Sequence, residues 1–163
     1  MCSSPNYLRL ANVLFRNYGA MKNFERCAEK CRVVHAEKGR LKVEMELGEE
    51  HANLHGTLHG GMTATLVDIV TSTAICLTKR QTDGISIDLS VSFLAPAKIA
   101  IKFVCLSGDS ILVDGFVSRL GSSLCFTGAD IYRKSDGTKI ATALHTCAYA
   151  KRDVKTWANL DEK

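Results

Sequence analysis

The 163-residue chain lacks any apolar run long enough to cross a bilayer, which takes about 20 residues. Its longest candidate, residues 62–77, is interrupted by Asp68, four Thr and one Ser. Only 2 residues are Pro, and there is no repeat, low-complexity tract or Pro-rich linker. With 46% hydrophobic and 23% charged residues, the composition is that of an ordinary globular protein. These features predict one folded domain without a membrane span.

A disulfide framework is also missing. The 7 Cys are an odd number and follow no regular spacing. Several lie within predicted strands or helix, which indicates reduced, mostly buried thiols in a reducing compartment. Cys27 and Cys31 would share one face of a helix, but no second pair stands at metal-ligand spacing. We therefore predict no metal site.

The chain has little excess of charge of either sign. The net charge of +4 is mild, and no basic stripe with interleaved aromatic residues is present, which argues against nucleic-acid binding. A mild positive charge suits a small anionic ligand.

The first 24 residues contain no acidic residue, but they include Arg9, Arg16 and Lys22. Mitochondrial presequences share this bias. The alternative is an amphipathic helix over residues 7–18, and the two interpretations are compatible. In the helix, the inward side chains would be Leu10, Val13 and Leu14. We expect a cytoplasmic or mitochondrial location, or both.

Hydrophobic periodicity predicts a helix, a hairpin, a long helix and a run of strands. The hairpin covers residues 31–47, with its turn at 37–40. The long helix covers residues 58–79 and is apolar nearly all round, so it should be buried. The strands are predicted at 85–93, 111–119, 124–133 and 140–150. One apolar helix with a long antiparallel sheet predicts an α+β fold in which the sheet curls around the helix.

The strand at 85–93 shows the clearest alternation in the chain. Its apolar set is Ile85, Ile87, Leu89, Val91 and Phe93, and its polar set is Ser86, Asp88, Ser90 and Ser92. Simple alternation predicts that the two sets lie on opposite faces of the sheet.

Residues 51–68 carry the strongest chemical signal. A polar loop runs through Gly60 and Gly61 into an apolar helix, where Asp68 stands among apolar neighbours. A charge in such a place costs free energy unless it is paired, hydrogen-bonded or used. A Gly pair at a helix start exposes N–H groups that can hold a developing negative charge. An N–H donor and a buried carboxylate are two parts of a hydrolytic site.

Simpler interpretations of these residues stay open. Asp68 could be a structural carboxylate that accepts a hydrogen bond from Thr65 or Ser72. The Gly pair could be only a point of close packing against a strand. Three His spaced by four, at 51, 55 and 59, would form a metal face on a helix, but the intervening glycines argue against a continuous helix there.

The chain resembles the hotdog-fold acyl-coenzyme A thioesterases of the PaaI-like branch. The resemblance covers about residues 23–148. It rests on residues 49–68, on the strand Gly-Ile-Ser-Ile-Asp-Leu-Ser-Val-Ser-Phe from Gly84, and on Ala-Pro-Ala-Lys from Ala95. It implies an N-terminal helix or targeting segment (residues 1–22), a hotdog domain (23–150) and a C-terminal tail (151–163). The hotdog fold is a curved antiparallel sheet around one long central helix.

The resemblance implies catalytic roles for five residues. Asn53 matches an active-site Asn. His59 and Gly60 match the helix-start pair, whose Gly N–H binds the thioester carbonyl oxygen. Asp68 matches the carboxylate that activates or orients the attacking water, and Ser86 matches a Ser that helps to position that water.

The resemblance also implies a coenzyme A site and one departure from the family. The implied site residues are Ser86, Asp88, Phe93, Leu94, Ala95, Pro96, Ala97 and Lys98, with Arg119, Gly121, Ser122 and Ser123 from a later turn. About nine extra apolar residues, near 99–107, interrupt the family pattern after this segment. They bear on the contacts of Lys98 more than on the chemistry at Asp68.

Helix geometry places Gly60 and Asp68 too far apart to serve one site. Eight residues at about 1.5 Å each separate them by about 12 Å. A site that uses both must therefore combine Gly60 of one chain with Asp68 of another, across a twofold axis. The chemistry requires a homodimer, and the family suggests a homotetramer.

The expected function is hydrolysis of acyl-coenzyme A, of medium to long fatty acyl chain, to a free acid and coenzyme A. This activity belongs to lipid and fatty acid metabolism and uses no cofactor beyond the coenzyme A of the substrate. The alternatives are a hotdog-fold hydratase or dehydratase, and a non-catalytic module that binds acyl-coenzyme A.

Overall fold

The computed structural model describes residues 5–99 and 109–153 of the chain. Two α-helices, two short 3-10 turns and six strands are present in these residues. The helices are α1 (Pro5–Ala20) and α2 (Gly60–Cys76), and the 3-10 turns are Phe24–Ala28 and Glu49–His51. The strands are β1 (Cys31–Glu37), β2 (Arg40–Glu46), β3 (Thr82–Phe93), β4 (Ser110–Leu120), β5 (Leu124–Arg133) and β6 (Lys139–Asp153).

All strand pairs are antiparallel and form one sheet in the order β1-β2-β4-β5-β6-β3. Helix α2 contacts β2, β3, β4, β5 and β6, so the sheet covers the helix on one side. The edge strand β1 packs against α1. The opposite edge, β3, has no strand beside it within the described residues. The predicted α+β architecture of a sheet around a central helix is confirmed.

Burial rather than helix propensity stabilises α2. Leu66, Val67, Val70 and Ala74 are fully buried, and the Thr-rich sequence is a mediocre helix former. Its Thr hydroxyls donate hydrogen bonds to backbone carbonyl oxygens one turn earlier in the helix. Thr71, for example, donates to Val67 O (2.7 Å). The helix begins two residues later and ends three residues earlier than the pattern predicts.

The N-terminal segment forms the predicted helix, α1. Ala11, Leu14 and Phe15 are its buried side chains, while Leu10 and Val13 are half-buried. The face that packs against the core therefore includes two residues, Ala11 and Phe15, beyond the predicted set. No described helix is both long and apolar enough to span a membrane.

The hairpin and the strands lie where the pattern predicts them, with two differences. Strand β3 begins three residues early and β6 continues three residues beyond Ala150. Of the extra segment near 99–107, only Ile99 is described, and it is buried; the rest lies outside the described residues.

The predicted faces of β3 are wrong in its first half. Ser86 pairs with Cys147 and Asp88 pairs with Thr146, so Ile87 is an extra residue in a β-bulge. The bulge reverses the alternation, which leaves Ile85 and Ile87 57% and 61% exposed. Ser86 therefore faces α2, whereas Asp88 faces outward.

Candidate active site

The N-terminal end of α2 presents a backbone donor. His59 is the N-cap, and its Nδ1 accepts a hydrogen bond from Gly61 N–H (2.9 Å). The Gly60 N–H has no acceptor among the described residues, as expected for the first residue of a helix. Because Nδ1 of His59 accepts, the neutral ring carries its proton on Nε2. His59 is thus a helix cap and a donor.

Asn53 organises the loop before this helix. Its Oδ1 accepts from His55 N–H (2.9 Å) and from Thr57 N–H (3.1 Å), and its Nδ2 donates to Thr57 Oγ1 (2.9 Å). An amide nitrogen has two protons, so one N–H of Asn53 remains for a ligand.

A cavity of about 420 Å³ lies between this loop and the end of β3. Its walls include Asn53, Gly60, Phe93, Leu94, Ala95 and Pro96. The Phe93 ring lies over Gly60, because a Cβ added at Gly60 would be only 3.3 Å from its Cζ. Phe93 and Leu94 are 61% and 54% exposed, so this opening is apolar and accessible.

The segment after β3 supports the loop through backbone hydrogen bonds. Leu58 N–H donates to Ala97 O (2.9 Å), and Ile99 N–H donates to Gly56 O (3.2 Å). The side chain of Ala97 is buried, so it stabilises the segment instead of facing the cavity. Lys98 is exposed, and its N–H donates to Asp109 Oδ2 (2.7 Å).

Asp68 and Ser86 meet at a second place, farther along α2. Ser86 Oγ donates to Asp68 Oδ1 at 2.9 Å, and Ser72 Oγ lies 3.5 Å from the same oxygen. The expectation of a buried carboxylate is wrong for the single chain, because the Asp68 side chain is 46% exposed. Thr65 does not bond it, since its hydroxyl donates to Gly61 O. The carboxylate is held but open to a ligand.

Asp68 and Ser86 open into a cavity of about 140 Å³. Tyr18 and Met21, from the end of α1 and the residues after it, form one wall. Burial raises the pKa of the Tyr18 hydroxyl well above its usual range, and this hydroxyl lies 3.4 Å from Thr73 Oγ1. Gly84 allows β3 to approach here, because a Cβ would lie 2.9 Å from a carbon of Ile75.

Sequence reasoning missed His145, which lies behind Asp68. Its Nε2 is 3.6 Å from Asp68 Oδ1, and its side chain has no exposed area. Burial lowers its pKa, with a smaller opposing effect from the Asp68 carboxylate. The available signal was a lone His in an inward row of β6 that otherwise holds Ala141, Ala143 and Cys147.

The turn between β4 and β5 is fixed by two side chains. Arg80 Nη2 donates to Gly121 O (3.0 Å), and Tyr149 OH donates to the same oxygen (3.1 Å). The Arg80 guanidinium also stacks over the Tyr149 ring at 4.7 Å. Arg119, Ser122 and Ser123 are exposed beside this turn.

The predicted site residues therefore form two separate groups in one chain. Asn53, His59 and Gly60 meet the 93–96 segment, whereas Asp68 and Ser86 meet at the cavity beside Tyr18 and Met21. Asp88 joins neither group, because the bulge turns it outward. Across residues 5–99 and 109–153, no three His, Cys, Asp or Glu side chains are grouped as metal ligands.

The chain is similar to known proteins in sequence and in fold. Residues 55–140 match the model of the thioesterase superfamily. Human acyl-coenzyme A thioesterase 13 is 39% identical over 125 residues, 77% of this chain and 84% of that protein. Zebrafish thioesterase superfamily member 2 superimposes with a TM-score of 0.81 at 35% identity, over 88% of this chain and 99% of its own.

The fold extends to more distant structures. The PaaI protein of E. coli superimposes with a TM-score of 0.68 at 18% identity, over 88% of this chain and 98% of its own. The chain therefore belongs to the thioesterase superfamily, with its hotdog fold, and is a thioester hydrolase.

Proposed function

We propose that this protein hydrolyses acyl-coenzyme A, with Asp68 as general base and Gly60 N–H as oxyanion donor. The observation that carries this proposal is the 2.9 Å hydrogen bond from Ser86 to an accessible Asp68 carboxylate. A carboxylate held by a hydroxyl at an open cavity can orient a water and take its proton. The relatedness to acyl-coenzyme A thioesterase 13 supports acyl-coenzyme A as the substrate class.

We propose a site shared between two subunits. The donor and the base lie about 12 Å apart along one helix, too far for one bound thioester. Strand β3 carries Ser86 near one end and Phe93 at the other, and among residues 5–99 and 109–153 it is an edge of the sheet. Antiparallel pairing of two such edges about a twofold axis brings the Ser86 end of each strand against the Phe93 end of the other.

In each composite site, the thioester carbonyl accepts a hydrogen bond from Gly60 N–H of the partner subunit. Asp68 takes a proton from water while the water oxygen attacks the carbonyl carbon. Gly60 N–H of the partner subunit, aided by the positive end of its helix, stabilises the oxyanion. The C–S bond then breaks, and the coenzyme A thiolate receives the proton from Asp68. Direct attack by Asp68 through an anhydride is the alternative route.

The coenzyme A moiety is proposed to lie along the exposed 93–96 segment and Lys98 of the subunit that supplies Gly60. From there it extends towards the β4–β5 turn of the subunit that supplies Asp68. The exposed Phe93 and Leu94 offer an apolar surface, and Lys98 and Arg119 offer positive charge for phosphate groups. We propose a medium- to long-chain fatty acyl group, which the apolar side chains Met21 and Ile69 beside Asp68 favour.

We propose that two dimers pair through the outer face of the sheet. Ile85, Leu124, Phe126 and Leu144 are 57%, 36%, 40% and 69% exposed, and strand register places them on this outer face. A contiguous apolar patch of this kind is typical of a subunit interface. A homotetramer would cover it.

A hydratase or dehydratase would need a His that reaches the substrate. His145 is the His beside Asp68, but its side chain is fully buried, so it cannot contact a bound acyl group. His59 of the partner subunit enters the shared site beside Gly60, but its Nδ1 already accepts from Gly61 N–H, so the neutral ring carries its proton on Nε2 and has no free nitrogen to act as base. Hydrolysis therefore fits the site better than hydration.

The first experiment measures thiol release from acyl-coenzyme A esters of two to eighteen carbons, with the wild type and with Asp68→Asn. We expect turnover of medium and long chains, and a fall in kcat of about 100- to 10,000-fold in Asp68→Asn, as for the loss of a general base. Asp130→Asn, on the outer sheet face against Lys139, is the matched control and should keep the wild-type rate.

Near-normal turnover by Asp68→Asn would remove Asp68 from the mechanism. Tight binding of acyl-coenzyme A without thiol release by the wild type would favour the non-catalytic module.

A further inference from the structure

His145 makes two contacts with α2 from the inward row of β6. Its Nδ1 lies 2.7 Å from Thr71 Oγ1, and its Nε2 lies 3.6 Å from Asp68 Oδ1. The two ring nitrogens thus face neighbouring turns of the helix that carries the proposed base. A simple packing residue would not need two polar atoms aimed at α2.

Thr71 determines which nitrogen of His145 carries the proton. The Thr71 hydroxyl lies 2.7 Å from Val67 O, and a carbonyl oxygen can only accept. A hydroxyl has one proton, so Thr71 donates it to Val67 O and accepts from His145 Nδ1–H. The Nε2 of the neutral ring is then unprotonated, and its lone pair is directed at Asp68.

The surroundings keep the ring neutral. The ionisable groups that affect it are Asp68 on α2, the outward-facing Asp88 on β3 and Cys147 on its own strand, with Cys125 beyond Cys147 on β5. Burial lowers the pKa of His145, and the two carboxylates oppose this effect only in part. Burial raises the pKa of the Cys147 thiol to about 12, so the thiol stays protonated and places no negative charge beside the ring.

We propose that His145 is a positioning residue that holds the protonated form of Asp68 through Nε2. This inference rests on the proposed role of Asp68 as general base. While Asp68 is ionised, its oxygen and the Nε2 lone pair repel each other, which agrees with their 3.6 Å separation. Once Asp68 has taken the proton from water, its O–H donates to Nε2 at hydrogen-bond distance, about 2.7 Å.

The proton balance of this step is simple. The proton moves from water to Asp68 as the O–C bond forms, and from Asp68 to the thiolate sulfur as the C–S bond breaks. His145 gains and loses no proton. It lowers the free energy of the intermediate state in which Asp68 is neutral, and it keeps the carboxyl group in place between the two steps.

The test compares His145→Asn and His145→Gln. Asn can still donate to Thr71 in place of Nδ1–H but has no atom at Nε2, whereas Gln can place its amide oxygen near Nε2. We expect His145→Asn to lower kcat about 10- to 100-fold with KM within about twofold, as for other residues that support a reacting group. The acid limb of its pH–kcat profile should move to lower pH, because Asp68 loses an acceptor for its proton. His145→Gln should recover most of kcat.

Thr127→Val is the control for a loss of packing. Thr127 Oγ1 donates to the backbone oxygen of His145 (2.9 Å) and is buried, but it donates to no ring atom. We expect it to lower the melting temperature with kcat and the acid limb unchanged. If His145→Asn behaves in the same way, His145 only packs and the proposal is wrong.

Two further measurements complete the design. If His145→Asn does not fold, Thr71→Val provides a second variant. Without Thr71 Oγ1 as acceptor, the ring proton can move from Nδ1 to Nε2 and donate to the ionised Asp68 carboxylate. The acid limb should then also move to lower pH. Asp68→Asn is measured in parallel. An active Asp68→Asn rejects the proposed function itself, whereas an inactive Asp68→Asn with an unaltered His145→Asn rejects only the role of His145.

Discussion

The two ends of the functional part of α2 are built in different ways. At the first end, the cap of His59, the donor Gly60 and the loop residue Asn53 lie within eight consecutive residues. At the second, Asp68 meets Ser86 from β3 and His145 from β6. A short motif is thus enough for the donor, whereas the base needs three elements that are distant in the chain.

The two groups should respond differently to amino-acid substitution. The donor is a backbone N–H, which no ordinary side-chain substitution removes. The base is a side chain whose orientation depends on a β-bulge at Ile87 and on a buried imidazole. Substitutions at each end therefore separate the donor from the base, and mixed dimers test whether the two act together.

At the first end of the helix, the largest expected effect comes from removing the donor alone. Gly60 is the first residue of α2, where Pro is tolerated, and His59 has the extended backbone (φ −67°, ψ 133°) that precedes Pro. Gly60→Pro deletes the N–H and should lower kcat about 100- to 1,000-fold, as for other oxyanion donors. Steady-state kinetics on one acyl-coenzyme A substrate measure the effect.

Gly60→Ala is the matched control, because it adds a similar contact with Phe93 but keeps the N–H. It should cost much less than Gly60→Pro. Equal losses in the two variants would mean that crowding against Phe93, and not the donor, is responsible.

The next effect tests whether the two ends belong to different subunits. Mixed dimers of Gly60→Pro and Asp68→Asn have one site with both defects and one intact site. Random mixing in equal amounts should therefore restore about one quarter of wild-type activity, since half of the dimers are mixed and each has one working site of two. Co-refolded or co-expressed mixtures, with dimer composition checked by native mass spectrometry, give the measurement.

Activity in the mixture that stays at the level of the two parents would show that each site lies within one chain. A dimer that cannot be detected at all by sedimentation would contradict the shared site more directly.

The smallest effect concerns the hydroxyl that holds Asp68. Ser86→Ala removes one hydrogen bond to a charged group and should lower kcat about tenfold, which corresponds to roughly 1.4 kcal/mol. Ser90→Ala is the control, because Ser90 lies on the same strand but pairs with the exposed Leu144 on the outer face. If Ser86→Ala and Ser90→Ala have the same rate, the bulge does not serve the reaction.

Most of the fold was predictable from hydrophobic pattern. The long apolar helix, the Gly39 hairpin and the antiparallel strands appear within a few residues of their predicted bounds. The predicted alternation is wrong at the start of β3, because a bulge adds one residue and a pattern of period two does not reveal it.

Half of the candidate site was equally accessible from the sequence. The Gly pair marks the start of the helix, so a local rule predicts the donor Gly60, whereas Asn53 and His59 were identified through the family resemblance. His145 could not be found in this way, because the role of a His within a strand depends on which side chains of the facing helix it contacts. Its partner, Asp68, lies 77 residues earlier in the chain.

The sequence by itself determined the central helix, the sheet that covers it and the donor at the helix start. The spacing of Gly60 and Asp68 on one helix also determined that a site using both needs two chains, because helical rise is a local property. Only the tertiary structure decided the surroundings of Asp68. The bulge that turns Ser86 inward and the burial of His145 beside Asp68 both depend on how β3 and β6 pack against α2, and no local pattern encodes that packing.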